Sequence, residues 1–163
     1  MANDKSFKIK NGLSATRYLG TNGTETAGSN GPYGTFDTTT YSGTGATQTI
    51  TNNVSLSTDG GLVWIKDRNL AKWHKLYDTE RGATKALFSN EQDAENTNST
   101  TLTSFNSNGF TLGTGGAGNN SSVNESSGTY VAWTFKQASN FFDVVTFTSA
   151  ASGNTTFSHK IGS

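Results

Sequence analysis

Asp78, Glu80 and Arg81 sit close together in the chain. Two neighbouring carboxylates could form the acid/base pair of a glycan-cleaving enzyme. If the strand through Leu76 and Tyr77 continues, alternation puts Asp78 and Glu80 on one face and Arg81 on the other. The alternative is a polar cluster at a strand end, with Arg81 bracing a turn. The sequence favours that alternative, because charge clusters are often structural ion-pair networks. His74 and His159 are the only histidines and lie far apart. Neither has the second ligand that a metal site needs, so both are expected to be structural or surface residues. Glu91, Asp93 and Glu95 could attract Ca²⁺ but lack the Asp-x-Asp-x-Asp-Gly order, which leaves a solvated loop. Gly113 to Gly118 resembles a phosphate loop only in glycine content, since no Gly-Lys-Ser/Thr follows. Trp73 and Tyr77 are the candidates for stacking on a sugar ring, because they share a strand with exposed charges; core packing is the competing use. Trp64 and Trp133 are assigned to the core. No catalytic residue, metal ligand or cofactor is expected.

These residues need strands to hold them, and strand signals run through the chain. Thr47–Ile50, Trp73–Tyr77 and Lys85–Phe88 are short strands, and Leu62–Ile65 is an apolar run expected to be buried on both faces. Leu102–Phe105 and Phe110–Leu112 flank Asn108-Gly109, the strongest short hairpin signal. In Tyr130–Phe135, Val131, Trp133 and Phe135 point one way, and Tyr130, Ala132 and Thr134 the other. Of these, Trp64, Val131, Trp133 and Phe135 are expected to be buried. Phe141–Thr148 is the last strand expected. Ser89–Glu95 has a helix-capping residue but no apolar stripe, and reads as a loop. About eight short strands at this spacing mean an all-β sandwich, jelly roll or barrel. Near the N-terminus, Phe7 and Ile9 alternate with Lys8 and Lys10 as in a half-buried strand, and Asn11-Gly12 follows as a hairpin signal. Residues 20–46 are Gly-rich and read as a linker or long surface loop.

Composition removes whole classes of function. The chain has 163 residues, one domain by length, or one domain with an arm. Ser, Thr and Asn make up roughly 40% of it, far above ordinary usage. Its 10 Phe, 5 Tyr and 3 Trp are too many for a solvating tail. The net charge is 0, which argues against nucleic acid and against an anionic membrane surface. Cys is absent, so no disulfide or cysteine zinc site forms. The N-terminus lacks the apolar core of a secretory signal, and no apolar run is long enough to span a bilayer. Asn-x-Ser/Thr triplets, as at Asn53 and Asn98, are the chance product of this composition.

Five stretches in order resemble a domain of tail-fibre and other virion proteins of tailed phages, marine ones especially. They are Tyr41–Ile50, Val63–Arg68, Asp78–Lys85, Leu102–Gly113 and Tyr130–Lys136. The likeness covers roughly 100 residues with order and spacing kept, which is more specific than any single motif. Phe135 stands where that family often has Trp, and an aromatic position is retained. Phe7–Leu13 is similar to the start of many marine phage structural proteins. The resemblance implies a concanavalin-like β-sandwich, a fold shared with lectins, though fold alone does not fix function.

The expected architecture is an antiparallel β-sandwich preceded by an extended N-terminal arm. Residues 1–40 form the attachment arm and linker, 41–140 the sandwich, and 141–163 the start of a second unit. That last expectation comes from a weak likeness between Tyr41–Ile50 and Phe147–Phe157, after which the chain stops before a matching strand. A half-built strand pair needs a further domain or a neighbouring subunit to cover it. The expected role is a non-enzymatic virion component, the N-terminal part of a tail fibre or fibre-like appendage, made in the host cytoplasm. Phe7, Ile9, Leu13, Tyr18 and Leu19 would contact a tail adaptor, nozzle or capsid protein. Homo-oligomers are expected, with a trimer implied by the resemblance. The competing class is a lectin-like module that binds a host-surface glycan.

Overall fold

The computed structural model describes residues 34–116, 118, 122–150 and 152–162. Phe7, Ile9, Leu13, Tyr18 and Leu19, and the Asn11-Gly12 signal, lie outside them. The described chain is nearly all β. Its elements are β1 (Phe36–Ser42), β2 (Gln48–Thr51), the single helical turn α1 (Leu56–Asp59), β3 (Gly61–Asp67) and β4 (Lys75–Asp78). They continue with β5 (Lys85–Phe88), β6 (Asn96–Thr97), β7 (Leu102–Asn106), β8 (Gly109–Leu112) and β9 (Thr129–Lys136). All pairings are antiparallel. One sheet has six strands in the order β1-β9-β3-β4-β5-β6, and the other three in the order β2-β8-β7.

Both sheets feed one core. Val63 and Ile65 of β3, Tyr77 of β4, and Tyr130 and Ala132 of β9 come from the larger sheet. Ile50, Leu102, Phe110 and Leu112 come from the smaller one, and Val54, Leu56 and Val123 fill between them. These side chains are buried because alternation lines each strand's apolar residues on a single side. Asn52 joins the layers by polar contact: its amide donates to Thr134 Oγ1 at 2.9 Å, and both residues are buried. The β7–β8 hairpin forms where the sequence predicts it, but Asn106 pairs with Gly109, so the two turn residues are Ser107 and Asn108. Gly109 has φ of +122°, and a Cβ there would strike the Ile50 carbonyl, so glycine is required.

Four expectations change. β1 begins at Phe36, inside the stretch read as linker; its exposed and half-buried residues alternate along a sheet edge. The buried face of β9 is the opposite one: Tyr130, Ala132 and Thr134 are fully buried, while Val131, Trp133 and Phe135 are only half-buried. Trp64 is likewise half-buried, since β3 alternates between buried and half-buried residues and is not buried on both faces. The physical reason is that the outer rings cover one another laterally. Trp64 lies 5.5 Å from Trp133, and Phe135 lies 5.0 Å from Phe36 and 5.3 Å from Phe142. Phe141–Thr148 is not a strand; only an isolated bridge pairs Ala138 with Phe142. Among the described residues of 147–157 no strand forms.

Candidate functional site

The Asp78–Arg81 cluster is a turn brace. Asp78 ends β4 and is buried. Its Oδ1 accepts the Arg81 backbone N–H at 2.9 Å, and its Oδ2 accepts Arg81 Nε at 2.6 Å. The guanidinium also donates to the Leu76 carbonyl at 3.0 Å and reaches Glu95 at 3.3 Å. Glu80 is exposed, in the turn beyond the strand, so it does not share a face with Asp78. Asp78 therefore anchors the turn, with one oxygen on a backbone N–H and the other on the guanidinium, and neither is left to face a substrate. Glu91 and Asp93 are exposed, and among the described residues no cluster of three His, Asp or Glu side chains could hold a metal.

Tyr77 is fully buried in the core, which removes it as a sugar-stacking residue. Burial raises its hydroxyl pKa well above the ordinary range, and the Thr101 hydroxyl opposes that rise. Trp73 and His74 precede β4 rather than lying on it. Trp73 is half-buried and packs edge-on against Phe88 at 5.1 Å, so its ring serves the core. The His74 ring tilts against Trp64 at 6.2 Å. Partial burial, with the charges of Lys66 and Lys75, lowers its pKa.

The densest polar constellation lies where composition shows only a lysine, an aspartate and a loop. Lys75 points into the protein and is fully buried, with Nζ donating to the Ser122 carbonyl at 2.9 Å. Asp67 ends β3 on the same buried side. Its Oδ1 accepts the backbone N–H groups of Asn69 at 3.0 Å and Leu70 at 2.9 Å; its Oδ2 finds no partner among the described residues. The hydroxyls of Tyr130 and Ser122 are hydrogen-bonded at 3.1 Å, and Tyr130 also accepts the Glu125 N–H. Tyr41 stacks on Tyr130 at 5.1 Å and donates to the Val123 carbonyl at 2.8 Å. Burial pulls the Lys75 amine down to about 8, with Asp67 pulling the other way.

That constellation grips a strap, Ser122-Val123-Asn124, which is fully buried although it belongs to a Gly/Asn/Ser loop. Asn124 is its hub. Its amide donates to the Ala46 and Gly113 carbonyls, each at 2.6 Å, and its Oδ1 accepts Thr44 N–H at 2.9 Å and the Gln48 amide at 2.5 Å. Chemically, the cluster offers a part-neutral amine beside a carboxylate, closed behind the strap. The four hydrogen bonds of the buried Asn124 side chain fix one arrangement of the loop.

Two surfaces remain open. The first is the outer side of the larger sheet, where register lines up Leu87, Leu76, Trp64, Trp133 and Thr38 across five strands. The second is the C-terminal segment. It leaves the sheet after Gln137 and returns, held by Lys160 N–H on Asp143 Oδ2 at 2.6 Å. At its tip Phe147 and Phe157 stack at 4.6 Å while remaining 60% and 47% exposed. A broad open depression lined by Leu56, Asp59, Thr79, Glu80 and Gln137 completes the surface, and Lys136 already neutralises Asp59 at 2.9 Å.

Residues 31–163 match a family described as a domain of unknown function, DUF7483. No curated protein and no solved structure matches the chain.

Proposed function

We propose that this chain, which belongs to the DUF7483 family, is a non-catalytic structural component of a phage particle. It is read as the N-terminal part of a tail fibre or fibre-like appendage, with its two sheets forming a concanavalin-like sandwich. The observation that carries this reading is the pairing of a densely bonded interior with apolar surface left open. Phe36, Leu87, Phe147 and Phe157 are all at least 40% exposed. Scattered single apolar residues would mean nothing, but stacked aromatic pairs and a cross-strand row mark places where a partner sits. The five-stretch resemblance supplies the particle. Residues 5–19, with Phe7, Ile9, Leu13, Tyr18 and Leu19, are the proposed attachment arm to a neighbouring virion protein, and a homotrimer is the proposed assembly.

The test is a phage carrying the chain without residues 1–19. The truncated protein should fold, because the described elements begin at Phe36. It should be absent from purified particles by mass spectrometry, and normal incorporation would remove the arm from the reading. A second reading, a glycan-binding module, is favoured by Trp64 and Trp133 lying on the outer sheet face rather than in the core. Adsorption of phage carrying Trp133→Ala separates the two: loss of adsorption by particles of normal composition selects the glycan module.

A further inference from the structure

The outer sheet face and the Phe147–Phe157 tip are two apolar surfaces of one chain, and neither covers the other. Trp64 and Trp133 sit at the centre of the face, with Leu87 40% exposed at one end and Phe36 45% exposed near the other. Val145, 37% exposed, adjoins the stacked ring pair of the tip in sequence. At the size of aromatic and aliphatic side chains, each surface presents on the order of 400 Å².

We propose that the Phe147–Phe157 tip of one copy docks on the Trp64–Trp133 face of a second copy, head to tail, and that the contact repeats until a ring closes. This rests on the reading of the chain as an oligomeric particle component and names the surfaces involved. Area selects the arrangement. One such contact buries roughly 800 Å² in total, about half of a standard stable interface. A pair held by it alone is therefore weak. In a closed ring, removing one copy breaks two contacts, roughly 1,600 Å², which reaches the standard size. A twofold pairing of face on face would leave the aromatic tips bare in both copies, whereas the head-to-tail contact uses both surfaces in each.

Sedimentation of the full chain and two variants decides it. Phe147→Ser with Phe157→Ser removes the tip, and Thr38→Lys with Leu87→Lys places charges at both ends of the face row on exposed residues. The native chain should form a closed oligomer with rising concentration, and each variant should be monomeric with an unchanged far-UV spectrum. Mixing the variants at millimolar concentration should give a weak one-to-one dimer, because one intact tip then meets one intact face. A native chain that stays monomeric at millimolar concentration overturns the proposal. So does either variant associating as the native chain does, or a mixture that stays monomeric at millimolar concentration. If the native chain is monomeric yet present in purified particles, only this contact fails; absence from the particle fails the broader reading.

Discussion

Trp64 stands directly opposite Trp133 across β3 and β9, their rings 5.5 Å apart, on the side of the sheet that faces away from the core. Along β9, Ala132 one position before Trp133 and Tyr130 three positions before it are fully buried. The consequence is an energetic asymmetry between the two sides of β9.

Tyr130→Ala should cost about 3–5 kcal/mol, the range for deleting a buried aromatic, and should unfold a marginal domain. Trp133→Ala should cost less, about 1–2 kcal/mol, because part of that ring is already in water. Urea denaturation of both variants measures the order. A larger loss at Trp133 would reverse the assignment of faces.

The buried amine makes stability depend on alkaline pH. Burial lowers the Lys75 pKa from 10.5 to about 8. Between those values the unfolded chain keeps a proton that the folded chain has released, so stability rises with pH, by at most about 1.4 kcal/mol per pH unit. Above pH 10 the sign reverses. Tyr41, Tyr77 and Tyr130 have raised pKa values, chiefly through burial, so the folded chain then holds protons that the unfolded chain loses. Thermal melts should therefore peak between pH 9 and 10. Lys75→Met should erase the rise, and a native chain whose melting point falls steadily from pH 8 would contradict the buried amine.

Arg81→Lys should not rescue the turn after β4. A lysine cannot reproduce the guanidinium contacts that hold Asp78 Oδ2 and the Leu76 carbonyl together. Arg81→Ala should lose about 3 kcal/mol, since Asp78 is left buried without its counter-charge, and Arg81→Lys nearly as much, since one ammonium cannot serve Asp78 and the Leu76 carbonyl together. Chemical denaturation should place the two variants close together; near-native stability of the lysine variant would show that charge alone suffices.

Asn124→Ala removes four hydrogen bonds from a buried hub. Hydrogen exchange should rise at Thr44 and Gly45, and over the 113–128 loop, before it rises in the β3–β9 ladder. The global loss should be about 2–3 kcal/mol, because the abandoned Gly113 carbonyl stays out of water. Uniform exchange across all strands would show that the strap is not a separate unit.

How far the sequence can be read follows from what each element needs. The β7–β8 hairpin was legible because Asn108-Gly109 is a turn signal between two strand-like runs. β9 was legible as a strand, but alternation names two faces without choosing between them, and the larger rings fell on the outer one. β1 was hidden because Thr38, Thr39 and Thr40 carry no apolar alternation; pairing with β9, far along the chain, makes it a strand. The polar interior was hidden for a different reason. Lys75 belongs to a residue type almost never fully buried, and Ser122-Val123-Asn124 has the composition of a surface loop. Only the fold brings Tyr41, Lys75 and Tyr130 around that strap.

The order of strands sets a clock on synthesis. β9 lies between β1 and β3, so the larger sheet's centre is missing until the last strand exists. Phe36 waits for Phe135, roughly 100 residues later, and contacts of such sequence separation are slow to close. A nascent chain short of Lys136 holds β3 with one unpaired edge and its tryptophan uncovered. At about 5–20 residues per second of elongation, that exposure lasts for seconds. The appearance of β9, rather than of any earlier strand, is the moment at which the larger sheet can close.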